Sequence, residues 1–273
     1  MTLAPATTAS CGRLALWLCV LLVVVFLLAP IVVILVVSFD ASTLFAFPPA
    51  TWSLRWYATL LQSREWREAF SLSLWLASAV AALALLLGVP AGYALARGHF
   101  RGQRTIAFLL VSPMIVPAIV LALALYVLFA PLGLIGRPVG LLLAHTVLAL
   151  PVVVIIVGAQ FRRADPSVEL AARACGASFA RAFWHVSLPA VRPAVLSAGA
   201  FAFLTSFDEV VLALFLGGPD ATTLPKRIWE AVRFELDPTL TAVATLLIAL
   251  TLLALLIGEL GRAKRSAAKA KET

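Results

Sequence analysis

Residues 165–189 read DPSVELAARACGASFARAFWHVSLP, a polar, alanine-rich stretch set between long apolar runs. Asp165 followed by Pro166 predicts a helix start, because the carboxylate caps free N–H groups while proline at the first helical position gives up no bond. Val168, Ala172 and Cys175 then share one face, and Gly176 suits a left-handed turn that ends the helix. Ser178 caps a second short helix carrying Phe179, Phe183 and Val186, after which Pro189 and Pro193 redirect the chain. The expectation is a helix, a glycine turn and a helix, with little core of their own. Such helices can lie on a bilayer surface, but Ala171 and Ala172 offer little apolar area to lipid and instead permit close approach by another protein.

The rest of the chain sets where this segment sits. Of 273 residues, 63% are hydrophobic and 12% charged, against about a quarter charged in soluble domains. The fold class expected is all-α and polytopic, since spans need about 20 apolar residues to cross about 30 Å of hydrocarbon. Five charge-free runs qualify: Leu14 to Phe39, Phe70 to Ala96, Thr105 to Gly136, Pro138 to Phe161 and Pro238 to Gly258. A sixth, Pro193 to Pro219, contains Asp208 and Glu209. The first run exceeds the 7–15 residues of a signal-peptide core and is read as a retained span. Pro113, Pro117 and Pro131 should kink or break the third run, placing it inside the bundle where freed backbone groups find partners. Residues 1–273 are expected to form a single transmembrane domain, with a cytoplasmic loop over 162–192 and a basic cytoplasmic tail over 259–273 that is solvated or drawn to membrane lipid.

Lys and Arg collect in loops that stay cytoplasmic. With the N terminus inside, Arg97, Arg101 and Arg104, then Arg162, Arg163, Arg173, Arg181 and Arg192, then the Arg262 to Lys271 tail all fall on the cytoplasmic side. Both termini are then cytoplasmic. The net charge of +8 is scattered between apolar runs, not gathered on one basic face, which excludes nucleic acid as a partner. Cys11, Cys19 and Cys175 lack metal-ligand spacing, and no carboxylate cluster has it either. No G-x-x-x-x-G-K-[ST], H-E-x-x-H or G-x-S-x-G occurs, so the chain is read as non-catalytic, without a cofactor of its own and unable to hydrolyse ATP.

Two further features bear on a transported solute. The first outer segment, with FAFPPATWSLRWYATLL at 45–61, suits an interfacial helix, in which Trp52, Trp56 and Tyr57 sit at headgroup level; Trp52 is also a candidate to face substrate. Asp208 and Glu209 either lie on a translocation path, where with Ser206 they favour a multiply positive cation, or the span stops near Phe207 and both acids sit in outer water. His145 is read foremost as a packing histidine in the fourth span.

On these residues the chain resembles a known family. Glu169, Leu170, Ala171, Ala172, Gly176 and Leu188-Pro189 look like the cytoplasmic loop of ATP-binding-cassette (ABC) importer permeases, type I, whose pattern is E-A-A, three residues, G, nine residues, I, one residue, L-P. Val186 stands for the isoleucine, and Leu170 occupies the family's glutamate position, with the acid one residue earlier at Glu169. That shift rotates the carboxylate by about 100° around a helix. SFDE at 206–209, TLPKRIWE at 223–230, LDPTLTAVATLL at 236–247 and SPMIVPAIVLALAL at 112–125 are most similar to the smaller permease subunit of spermidine/putrescine importers, although some of those have an acid where this chain has Met114. The resemblance implies a six-helix permease fold in a bacterial inner membrane. It also implies a loop with Glu169, Ala171, Ala172, Gly176, Leu188 and Pro189 that couples to an ABC ATPase dimer, a second homologous permease and a periplasmic substrate-binding protein. The ATP and Mg are used by the partner ATPase. Polyamines are the implied cargo, with another small organic solute or an iron complex as the alternative. From a different class, an ion-coupled secondary transporter would also place acids within the membrane.

Overall fold

The computed structural model describes residues 6–43, 47–235 and 238–269. Phe45 and Ala46 of the aromatic segment, Leu236 and Asp237 before the last span and residues 270–273 of the tail lie outside them. The chain is helical throughout: α1 (Ala6–Val37), α2 (Arg55–Gln62), α3 (Arg64–Arg97), α4 (Gln103–Val111), α5 (Ala118–Phe129), α6 (Pro138–Arg163), α7 (Pro166–Ala174), α8 (Phe179–Ala182), α9 (Leu188–Ala190), α10 (Arg192–Phe207), α11 (Val211–Leu216), α12 (Leu224–Glu230) and α13 (Thr239–Lys269). Among the described residues, four helices are long and apolar enough to cross a membrane by themselves. Two bent pairs bring the number to six when each pair is taken as one span.

One compact unit comprises residues 1–64 and 231–273. Within it α1 is apolar and exposed on all sides from Leu16 to Val33, as a helix solvated by lipid should be. Beyond α1 the chain folds into a corner. Ser53 donates its N–H to Phe39 O at 2.7 Å, Trp56 Nε1 donates to Asp40 O at 2.8 Å, and the Ser38 and Tyr57 hydroxyls pair at 2.6 Å. The short α2 buries Trp56 and Leu60 and packs against α13. Trp52 stays 68% exposed, with its ring 6.3 Å from that of Phe39.

The second unit, Glu65–Glu230, holds a core built on α3, α6 and α10. Small residues let these helices close on one another where lipid supplies no hydrophobic drive. A Cβ built on Gly92 of α3 would lie 3.1 Å from Gly158 N and 3.3 Å from Val154 O of α6, so the two backbones nearly touch. On α10 the inward residues Ala198, Ala202 and Ser206 recur every fourth position against α6. Leu212 and Leu216 of α11 bury against the α5 side of the same core. Arg227 of α12 meets Glu65 Oε2 at 3.0 Å and covers the Trp66 ring at 5.1 Å.

The third run breaks as its prolines require, α4 and α5 meeting at 105° across a 3₁₀ turn, Ser112–Met114, but its burial differs from expectation. Instead of lying inside the bundle, α4 buries no residue and α5 only Ala122, Leu125 and Phe129. Burial is not needed to satisfy this break, because Ser112 Oγ donates to Leu109 O and Ile115 N to Ser112 O, re-pairing the freed carbonyls locally. The run from Pro193 to Pro219 follows the second of its two readings, a span that stops near Phe207. Its helix α10 begins at a 76° bend after α9 and stops at Phe207.

The glycine crossing yields a stability test. Gly92→Val should force α3 from α6 and cost roughly 1–3 kcal/mol as overpacking does, lowering the melting temperature of the purified protein in detergent. Gly258→Ala, on α13 where a Cβ meets nothing within 4 Å, should instead hold or raise it, by about 0.5–1 kcal/mol of helix propensity.

Candidate functional site

The hairpin of α7 and α8 forms as its sequence requires. Asp165 has extended backbone and its Oδ1 accepts the Ser167 N–H at 2.9 Å, which holds this exposed carboxyl below the usual carboxylate range. Pro166 follows at the first helical position. At the far end Gly176 adopts φ +92°, Gly176 N donates to Arg173 O at 3.0 Å and Ala177 N to Ala172 O at 3.1 Å. This is the paired bonding of a Schellman close. Ser178 Oγ then accepts the Arg181 N–H at 3.4 Å to start α8, and a π turn over Phe183–Ser187 leads into Leu188-Pro189.

Both arms present apolar or small side chains to the outside. Val168, Leu170, Phe179 and Trp184 are 56%, 60%, 54% and 62% exposed, and Ala171, Ala174, Cys175 and Gly176 are exposed beside them. No residue of α7 is buried. Ala172, Leu188 and Pro189 are half-buried at the base. A Cβ on Gly176 would meet nothing within 4 Å, so the turn stands free on its outer side.

Glu169 faces the other way. Its Oε1 accepts from Tyr93 Oη of α3 at 2.5 Å and its Oε2 accepts from Ser187 Oγ at 2.6 Å. The carboxylate, one residue before the family position, is thus bonded inward, while Leu170 stays 60% exposed at the rim of the groove that both residues border. Tyr93 and Ser187 are functional candidates that sequence reasoning missed. Tyr93 lies 76 residues from Glu169, and no local pattern marks a pair so far apart.

The second group gathers where α10 ends. The Asp208 N–H donates to Leu204 O at 3.0 Å and closes the helix, and Asp208's side chain is exposed. Glu209 Oε1 accepts the Leu212 N–H at 2.9 Å, capping the first turn of α11. Two adjacent carboxylates inside a continuous helix would both be desolvated. Breaking the helix leaves one in the open and gives the other a backbone donor. Ser206 lies inward, 4% exposed, with its Oγ 2.9 Å from Nδ1 of His145, which is 1% exposed. This pairing bolts the last turn of α10 to α6. The structure therefore groups Ser206, Asp208 and Glu209 at one break and Glu169, Leu188 and Pro189 at the hairpin. Trp52 belongs to the other compact unit.

Comparison with known proteins follows this geometry. Residues 84–263 match the model of the family described as binding-protein-dependent transport system inner membrane component. The putrescine transport system permease protein PotI of Escherichia coli (strain K12) is 37% identical over 230 residues, covering 82% of this chain and 82% of PotI. The spermidine/putrescine transport system permease protein PotC of the same strain is 32% identical over 235 residues, covering 86% of this chain and 89% of PotC. In fold, the chain is similar to a chain of a bacterial ABC transporter involved in import of the acidic polysaccharide alginate. The TM-score is 0.75 at 17% identity, with 95% of this chain and 99% of that one covered.

The glycine turn can be tested by itself. Gly176→Ala places a Cβ at φ +92°, a strain of about 1–3 kcal/mol, with no neighbour to blame. Limited proteolysis should cut the hairpin faster by on the order of tenfold, while Gly176→Asn, which tolerates this backbone region better, should fall between. Equal cleavage of all three would contradict the strain.

Proposed function

The chain belongs to the binding-protein-dependent transport system inner membrane component family, the permease subunits of ABC importers, and on that premise we propose that it forms half of a translocation path for polyamines such as putrescine and spermidine. It is a non-catalytic membrane-spanning subunit, with ATP hydrolysis carried by a separate ATPase.

In this reading the basic loops put the hairpin and both termini in the cytoplasm. An ABC ATPase dimer, using ATP and Mg, seats on the outer face of the hairpin through Ala171 and Gly176, with Ala172 and Leu188-Pro189 fixing its base. A second homologous permease completes the path, and a periplasmic substrate-binding protein delivers the cargo. The uncovered apolar face of Val168, Leu170, Phe179 and Trp184 supports this seat, because such side chains gain from burial against a protein partner. It also argues against a self-sufficient ion-coupled carrier, which has no use for such a hairpin.

The observation that carries the substrate class is the carboxylate pair at the end of α10. A polyamine carries ammonium groups spaced along a flexible apolar chain. Asp208 meets one such group at a wet site, where a unit charge pair at 4 Å is worth about 1 kcal/mol in water and about 4 kcal/mol at an effective dielectric of 20. That range attracts a cation without trapping it. Trp52, in the other compact unit, has an exposed ring face on which an ammonium group gains about 0.5–1 kcal/mol. Ser206, held by His145, contributes by fixing the turn from which the acids emerge.

Asp208→Asn is the clean test, since Glu209 also caps α11. In vesicles containing the full importer, the variant should raise the half-saturating concentration for putrescine uptake by on the order of tenfold, the loss of a partly screened ion pair. ATPase co-purification should be unchanged. Unaltered uptake would remove Asp208 from the path.

A further inference from the structure

The first arm of the hairpin, α7, is not packed into the core. On one side of Glu169 lies a cavity of about 260 Å³, lined among others by Gln160, Phe161, Val168, Val186 and Ser187. On the other lies a groove of about 870 Å³ bordered by Pro90, Tyr93, Arg97, Phe179 and Trp184. Glu169 borders both. The second arm packs Phe183 and Leu188 against the core and buries Ala182, whereas α7 buries no residue and is tied in by Glu169, both of whose carboxylate oxygens are used. One bond reaches α3 through Tyr93, and the other reaches the second arm through Ser187, next to Leu188-Pro189.

Tyr93 is itself braced. Its ring stands edge-on to Phe161 of α6 at 5.1 Å, Phe183 at 5.0 Å and Phe179 at 5.8 Å. One turn further on, Arg97 Nη2 donates to Ala164 O, tying the ends of α3 and α6. A displacement of α7 therefore reaches α3 directly through the Glu169 carboxylate and the tyrosine hydroxyl, beside the ring contacts that the second arm makes with Tyr93. Charge-assisted hydrogen bonds of this kind are shorter and stronger than neutral ones.

We propose that Glu169 is a positioning residue, a strut that passes movement of the hairpin to α3 through Tyr93 and is not itself a contact of the ATPase. The proposal rests on the reading of the hairpin as the ATPase seat. If Leu170 and the small residues make the external contact while Glu169 makes the internal one, seating and transmission are separable. A tyrosine without its hydroxyl then keeps the seat and loses the transmission.

The experiment uses the assembled importer with its ATPase, second permease and binding protein, in wild-type form and with Tyr93→Phe, Glu169→Gln or both. Amide hydrogen exchange is followed with and without a non-hydrolysable ATP analogue, and putrescine transported per ATP is measured alongside. In the wild type, nucleotide should alter exchange over both 166–175 and 90–97. In Tyr93→Phe the change should persist over 166–175 and fade over 90–97, with ATPase still co-purifying. Putrescine transported per ATP should fall by on the order of tenfold, and the double variant should be no worse than the single ones, as coupled residues behave. A change that reaches 90–97 undiminished in Tyr93→Phe overturns the strut. So does loss of ATPase attachment in step with transport, which would make these residues part of the seat. No exchange response at 166–175 in the wild type would instead fail the seat reading, and the strut would fall with it.

Discussion

A helix that stops in lipid has to find partners for its own last carbonyls and first amides, because the solvent offers none. This chain is organised around the places where it meets that demand. At Ser112–Met114 a 3₁₀ turn and a serine hydroxyl re-pair the backbone, so α4 and α5 can diverge at 105° with little protein around them. At Phe207 one of the first amides of the next helix, Leu212 N–H, is met by Glu209. In the polar hairpin, where water is the alternative partner, Schellman bonds at Cys175–Ala177 close α7. The acids and the exposed hairpin face both sit at helix ends. A helix interior could not have hosted two adjacent carboxylates or an open patch of small residues at comparable cost.

The hairpin was the most legible part of the sequence because its determinants are local. Asp165-Pro166, Gly176 and Ser178 each act on backbone groups within three residues, and each occupies its expected place. The all-helical class and the positions of the long spans were legible for a similar reason, since composition over a window of a membrane's thickness is an average that one residue rarely changes. The end of α10 was less so. The apolar run continues to Leu216, and only Asp208 and Glu209 signal a stop, so hydropathy read one span where the chain makes a helix of 16 residues, roughly 24 Å long, then a break, then α11.

The bonds of Glu169 could not be read at all. Its sequence neighbours place it on α7, and the offset from the family position shows only that it turns by about 100°. What it turns toward depends on α3 delivering Tyr93 to the same spot, which in turn depends on the close crossing of Gly92 and Gly158 a few residues away. The burial of α4 was misjudged for the converse reason. Proline content marks a break correctly, but whether the freed groups need a protein neighbour depends on turn geometry that a proline count does not contain.

Taken together, these stops divide α10 into two faces with different partners. Ala198, Ala202 and Ser206 lie inward, where small side chains admit α6 and the His145 bond fixes the final turn. Leu196, Phe201 and Leu204 point outward at 68%, 55% and 56% exposure. The inward face sets the position of the acids rigidly with respect to α6, while the outward face is left for lipid or for a homologous subunit. An element fixed on one side and open on the other fits the proposed two-subunit path, in which the acids of this chain keep their place while the outward face stays free for a partner. The importance of the His145 to Ser206 bond is then positional, because it decides where the last helical turn ends and therefore where Asp208 meets water.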